Sequence, residues 1–277
     1  MIKVFYNLVK DSLDRITHGS KKYHLWMALL TFIMLIGMYC YSIQLKEGLS
    51  ATGMTDKVSW GLYISNFTFL VGIAAAAVML VMPTYVLKDI DFKQAVLIGE
   101  GVAVAALVMC MAFVIADMGG PAVLWHMIPG IGVFNFPNSM LTWDVLALTG
   151  YLIINISIPF YILFRHYQGK KAKKNVYLPG ALISVFWAVS IHLVTAFLYQ
   201  GLQAKPFWNN ALLGPRFLAS AFAAGPALII LVLAFIRSHT LFSIPDKTIK
   251  KLAMVVTVAA QINLIMLFSE LFKEFSM

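Results

Sequence analysis

A chain of 277 residues that is 61% hydrophobic and 12% charged, with mean hydropathy +0.83, is too apolar for a water-soluble domain. It has the make-up of a polytopic helical membrane protein. Its two cysteines, Cys40 and Cys110, sit inside apolar runs without CxxC or ferredoxin-type spacing, which argues against a disulfide framework or an iron–sulfur cluster held by this chain. The net charge of +9 is explained below by loop topology rather than by nucleic acid.

Residues 1–24 are expected to form a cytoplasmic, interfacial amphipathic segment, because Val4, Phe5, Leu8, Leu13 and Ile16 alternate with Lys3, Lys10, Asp11, Asp14 and Arg15. Its distributed charges and lack of a small-residue cleavage site do not suit a cleaved signal peptide. Residues 25–277 are expected to form one transmembrane helical domain. Hydropathy predicts seven spans, at 25–45, 59–87, 94–117, 139–164, 177–201, 212–236 and 249–271. The fold class is therefore all-α, a polytopic transmembrane helical bundle. Pro83, Pro159 and Pro226 fall within or near span ends, where they bend helices. Gly72-xxx-Ala76 and Ala219-xxx-Ala223 offer small residues for close helix contact.

Sixteen lysines and arginines fall on the N-terminal side of the predicted membrane and five on the other, which places the N-terminus in the cytoplasm. The long connection from Asp117 to Asp144 is then outside. It contains Gly119-Gly120-Pro121, Trp125-His126-Met127-Ile128-Pro129 and Phe134-Asn135-Phe136-Pro137, too rich in breakers for one helix and too aromatic for a plain linker. It reads as a structured cap over a polar pocket.

Ionisable groups at membrane depth are functional candidates. His192 lies roughly 22 Å along its span and Asp144 about 8 Å below the outer face, at 1.5 Å per residue. Asp117 and Glu270 end their spans at the outer boundary, and Arg216 begins one there. Three stripes emerge: Trp60, Tyr63 and Asn66; Asp144, Tyr151 and Asn155; His192, Thr195 and Tyr199. Such a set suits a quinol, which needs hydrogen-bond partners for its ring oxygens, a proton acceptor and apolar walls. In that reading His192 takes protons, Asp117 or Asp144 relays them outward, and Tyr63 and Asn66 orient a ring oxygen. The plainer readings are a helix–helix hydrogen bond for His192, interfacial anchoring for Tyr63 and Tyr199, and loop capping or an Arg216 ion pair for Asp117. Glu270 is expected to lie near water. Glu100, near 10 Å deep from the cytoplasmic side, is either the mouth of a proton path that Asn155 continues or a carboxyl bonded to a neighbouring helix.

The run Trp60-Gly61-Leu62-Tyr63-Ile64-Ser65-Asn66-Phe67-Thr68-Phe69-Leu70-Val71-Gly72 resembles the second-helix signature of the NrfD/polysulfide reductase membrane-subunit family. Ile191-His192-Leu193-Val194-Thr195, Pro206-Phe207-Trp208-Asn209, Pro215-Arg216-Phe217, Asn135-Phe136-Pro137 and Trp143-Asp144 resemble its branch of P subunits from Dsr-type sulfur-metabolism membrane complexes. The resemblance covers essentially the whole chain. It implies a haem-free subunit with a menaquinone/menaquinol site toward the outer face, passing electrons to an extracytoplasmic iron–sulfur partner. It also implies a prokaryotic inner (cytoplasmic) membrane location, with a cytochrome b-type subunit, a multihaem cytochrome c and a cytoplasmic iron–sulfur subunit as partners. By motif, Tyr63, Asn66, Asp117, Asp144 and His192 carry the family's functional positions, and Trp60, Tyr151, Thr195 and Arg216 join them as candidate quinone contacts. The family has Asp-x-Gly-Arg-Pro where this chain has Asp117-Met118-Gly119-Gly120-Pro121, and eight to ten spans where this sequence predicts seven.

The function expected is thus a quinone/quinol-binding membrane subunit of an oxidoreductase linked to sulfite or sulfur respiration. A cytochrome b is discounted, because His192 is the one clearly intramembrane histidine and haem needs paired axial ligands. No metal site is expected. A proton-translocating subunit or a structural membrane anchor are the alternatives.

Overall fold

The computed structural model describes residues 2–276 except 56, 59, 94, 129, 203, 204 and 206. Pro129 and Pro206 of the motifs above, and the side chain of Ala76 in the expected Gly72-xxx-Ala76 contact, lie outside the described residues.

An N-terminal helix α1 (Ile2–Thr17) precedes seven long apolar helices. These are α2 (Lys21–Glu47), α3 (Leu62–Tyr85), α4 (Val96–Asp117), α5 (Met140–Tyr167), α6 (Lys174–Gln200), α7 (Leu213–His239) and α8 (Asp246–Ser276). Each falls on a span expected from hydropathy, with ends moved by a few residues. At 22 to 31 residues each helix is long enough to cross a bilayer core of about 30 Å. No β-strand occurs among the described residues. Ser20 caps α2 by accepting from the Tyr23 amide at 3.2 Å.

The surface is apolar, as a lipid-facing surface must be, and side chains such as Phe186, Leu231 and Phe268 project outward. Small residues fill the contacts between helices. Gly72 of α3 faces Ala221 of α7, where an added Cβ would sit 3.6 Å from the Ala221 Cα. Gly150 of α5 accommodates Trp187 of α6: a Cβ there would fall 2.3 Å from the indole ring, which donates to the Ala147 carbonyl at 2.7 Å.

Helix α3 is the central element, in contact with α4, α6 and α7. It tightens to a 3-10 turn at Ala75–Ala77 and widens to a π turn at Met82–Val86, around Pro83. Pro159 and Pro226 lie inside α5 and α7. Two cores result. One, toward the Asp117 end, gathers Phe67, Val71, Leu107, Leu148, Tyr151 and Ile191. The other, toward the Lys88 end, gathers Leu80, Phe92, Ile229, Leu233 and Leu252. There, Lys251 of α8 pairs with Asp89 and, at 2.9 Å, with Asp91 of the α3–α4 connection.

Helix α2 differs from the rest. Its central side chains are exposed from Leu25 to Tyr39, and Gln44 is its one buried residue.

Candidate functional site

Gln44, near the end of α2, is 3% exposed and joins three spans. Its Oε1 accepts from the Tyr63 hydroxyl of α3 at 2.7 Å, and its Nε2 donates to the Ala116 carbonyl of α4 at 2.6 Å. Around this bridge lies a cavity of about 420 Å³ lined by Cys40, Ile43, Gln44, Met54, Gly61 and Tyr63. Asp117, the next residue after Ala116, has a buried Oδ1 without a partner among the described residues.

A second polar set lies between α5 and α6. Asp144, His192 and Thr195 are each at most 1% exposed. The Thr195 hydroxyl donates to Asp144 Oδ1 at 2.7 Å, while Asp144 Oδ2 is buried and unpartnered among the described residues. His192 Nδ1 lies 2.6 Å from the Ala188 carbonyl of its own helix. A carbonyl only accepts, so that nitrogen carries the proton and Nε2 presents a lone pair. Nε2 too is buried without a partner among the described residues.

Two of the expected stripes do face inward: Asp144, Tyr151 and Asn155 on α5, and His192, Thr195 and Tyr199 on α6, all buried. The Tyr151 hydroxyl reaches the Ala74 carbonyl of α3 at 3.4 Å, and Asn155 bonds back to the Tyr151 carbonyl at 2.8 Å. The third stripe divides. Tyr63 turns to Gln44, Asn66 folds back onto the Leu62 carbonyl at 2.9 Å, and Trp60 joins an aromatic cluster. In that cluster Trp60 stacks on Trp208 with centroids 5.6 Å apart, and both meet Tyr199 edge-on at 5.0 Å. Tyr199 also shares a short hydrogen bond with Thr68. It is a packed, bonded residue, not an interfacial anchor.

Three further expectations are corrected. Arg216 pairs with Glu270 of α8, not with Asp117, because α7 and α8 lie side by side and bring those two ends together. Glu270 is consequently fully buried instead of lying near water. The cap between α4 and α5 is structured, with a 3-10 turn at Pro121–Met127 and the Trp143 indole donating to the Pro137 carbonyl at 2.9 Å. One cavity beneath it, about 120 Å³, is apolar apart from Thr149, with Met111, Val114, Leu124, Met127 and Leu148 in its walls. Glu100, on α4, is 3% exposed with Oε2 unpartnered among the described residues.

Fold and polar interior together define a multi-pass helical membrane protein with acid–base groups held inside an apolar bundle. The family described as "Polysulphide reductase, NrfD" matches residues 50–275, and the chain belongs to that family. Similar proteins include a selenate reductase subunit of Mesobacillus selenatarsenatis, 23% identical over 89% of this chain and 64% of the relative. The "Hdr-like menaquinol oxidoreductase integral membrane subunit" of Archaeoglobus fulgidus is 25% identical over 87% of this chain and 58% of its own length. The "Menaquinone reductase, integral membrane subunit" of Nitratidesulfovibrio vulgaris is 24% identical over 79% and 55%. The chain therefore spans between about half and two thirds of the length of these relatives.

Proposed function

We propose that this chain is the integral membrane, quinol-reactive subunit of a multisubunit oxidoreductase in a prokaryotic cytoplasmic membrane, with its N-terminus in the cytoplasm. It exchanges electrons between menaquinol and an extracytoplasmic iron–sulfur partner, in a complex serving sulfite or sulfur respiration. The observation that carries the reading is the unsatisfied pair of atoms, Asp144 Oδ2 and His192 Nε2, buried where an inert bundle would bond or omit them. The names of the Archaeoglobus and Nitratidesulfovibrio relatives, a menaquinol oxidoreductase subunit and a menaquinone reductase subunit, support the quinone.

Menaquinol supplies two electrons and two protons on oxidation. His192 Nε2, its tautomer fixed by the Ala188 carbonyl, accepts a proton, and Asp144, held by Thr195, is the second acceptor. Tyr63 borders a different cavity, whose lining includes neither His192 nor Asp144; its own proton goes to Gln44, so its oxygen is left to accept from a quinol hydroxyl as the quinol enters. The exposed apolar cap, with Val123, Trp125, Ile131 and Val133 on its surface, offers the partner protein a docking face.

The test is His192→Ala in the assembled complex. Quinol-dependent electron transfer should fall roughly a hundredfold or more, the usual worth of a general base, while subunit assembly is retained. Near-normal turnover would remove His192 from the mechanism. Glu100, buried with a free oxygen, favours a second reading, in which protons also cross from the cytoplasmic side. In sealed vesicles, Glu100→Gln should then lower the number of protons released per electron at preserved electron flux; an unchanged ratio rejects that route.

A further inference from the structure

We propose that the end of the molecule where α1 lies against the last turns of α5 binds the headgroup of an anionic phospholipid. Helix α1 is fastened there by two contacts. Phe5 meets Phe160 of α5 edge-on with centroids 5.9 Å apart, and the Tyr167 hydroxyl at the end of α5 donates to Asp11 Oδ2 at 2.6 Å. Val4 and Leu8, one turn apart, are half-buried by this docking. The adjoining flank of α1 carries Phe5, still 47% exposed beside Phe160, with Val9, Leu13 and Ile16, spaced i, i+4, i+8 and i+11 and all exposed. An amphipathic helix with such a row lies at the membrane–water boundary with the row among acyl chains.

The connection from α5 to α6 supplies the charge. Gly169 takes φ 68°, a left-handed conformation that suits glycine, and the chain reverses there. The Gly169 and Lys170 amides bond back to the His166 and Arg165 carbonyls, both at 2.9 Å. Arg165 then reaches the Lys171 carbonyl at 3.3 Å, and the Lys173 amide donates to the Tyr161 hydroxyl at 3.2 Å. This turn is held against α5, and it presents Lys170, Lys171, Lys173 and Lys174, all exposed, at the end where Tyr167 grips Asp11.

Across α1 and residues 165–174 there are eight lysines and arginines against two carboxylates, Asp11 and Asp14. Asp11 already accepts from Tyr167, and the Arg165 Nε is buried without a partner among the described residues. A soluble anion answers the charge but not the apolar row, and a zwitterionic lipid answers the row but not the charge. A phosphodiester headgroup with net negative charge answers both.

The proposal is independent of the quinol reading and can be tested on the full chain with the subunits it is isolated with. After exposure to mixed phosphatidylglycerol and phosphatidylcholine vesicles, native mass spectrometry should show selective retention of phosphatidylglycerol. Replacing Lys170, Lys171, Lys173 and Lys174 together by Gln should lower that retention about tenfold or more. The same loss of selectivity, in smaller degree, is expected from Lys3→Gln with Lys10→Gln, and Lys273→Gln at the opposite end should change nothing. Equal retention of the two lipids, or undiminished retention in both multiple variants, would overturn the proposal. So would inorganic phosphate or polyglutamate raising the melting midpoint as far as phosphatidylglycerol does, because the occupant would then be a soluble anion or an acidic protein.

Discussion

At the scale of single residues, Arg216 and Glu270 show how a membrane charge is settled by its neighbour. Arg216 is 22% exposed at its side chain and stands over Phe207 at 5.5 Å, while Glu270 is fully buried. Breaking such a pair from one side strands a charge, at about 3 kcal/mol or more, whereas removing both partners is often neutral. Glu270→Leu alone should therefore lower thermal stability markedly, and Arg216→Met with Glu270→Leu should restore it. If Arg216 is purely structural, the double variant also retains quinol turnover; a stable but inactive double variant would return Arg216 to the site. From sequence, two carboxylates, Asp117 and Glu270, ended spans at the same level, and nothing in spacing distinguished them as partners. Gln44 was harder still to read. An uncharged amide barely interrupts an apolar run, and both its partners belong to other spans. The inward positions of Asp144, Tyr151, Thr195 and His192 were legible, since each polar stripe recurs at helical spacing on one face. The stripe of Trp60, Tyr63 and Asn66, spaced by three each time, drifts around its helix, and the structure accordingly sends the three side chains to different neighbours.

Among the elements, hydropathy located every long helix because each must be apolar for the whole width of a bilayer. Which helices touch was not legible, because lipid-facing and helix-facing surfaces are equally apolar. Helix α2 is the clearest case: it looks like the other spans in composition, yet its surface is open and Gln44 is its buried link to α3 and α4. Gln44→Leu would leave the Tyr63 hydroxyl and the Ala116 carbonyl without their partner, at a cost of about 1–3 kcal/mol. Faster amide exchange at the Gln44 end of α2 and in the following turn, with α7 and α8 unchanged, is the expected result. The opposite end of the bundle has its own fastening. The hydrogen bond from Lys251 holds the Asp89 carboxyl below the usual carboxylate range. Stabilisation from Asp89 is then complete above the unfolded value, about pH 4, and is lost as pH falls through the lower folded value. Melting curves of Asp89→Asn should match the parent at the acid end and fall below it near neutral pH; a constant offset at all pH values would mean that the carboxylate charge is not what holds the α3–α4 connection to α8.

On the scale of the whole molecule, Gln44, Asp144, His192 and the Arg216–Glu270 pair lie toward the Asp117 end, and the Lys251–Asp89–Asp91 fastening lies at the Lys88 end. The cavity beside Gln44 and Tyr63 takes part of its wall from α2 and part from the turn that follows it, so one side of it belongs to the helix least engaged with the bundle. A hydrophobic molecule already dissolved in the bilayer would then arrive sideways, between α2 and α3, without passing through water. Its effective supply is a mole fraction of the lipid phase, not a molarity. On the quinol reading proposed above, adding empty lipid to a fixed amount of quinol would slow turnover by dilution in two dimensions, and the apparent affinity would be a property of the membrane as much as of the protein's own side chains.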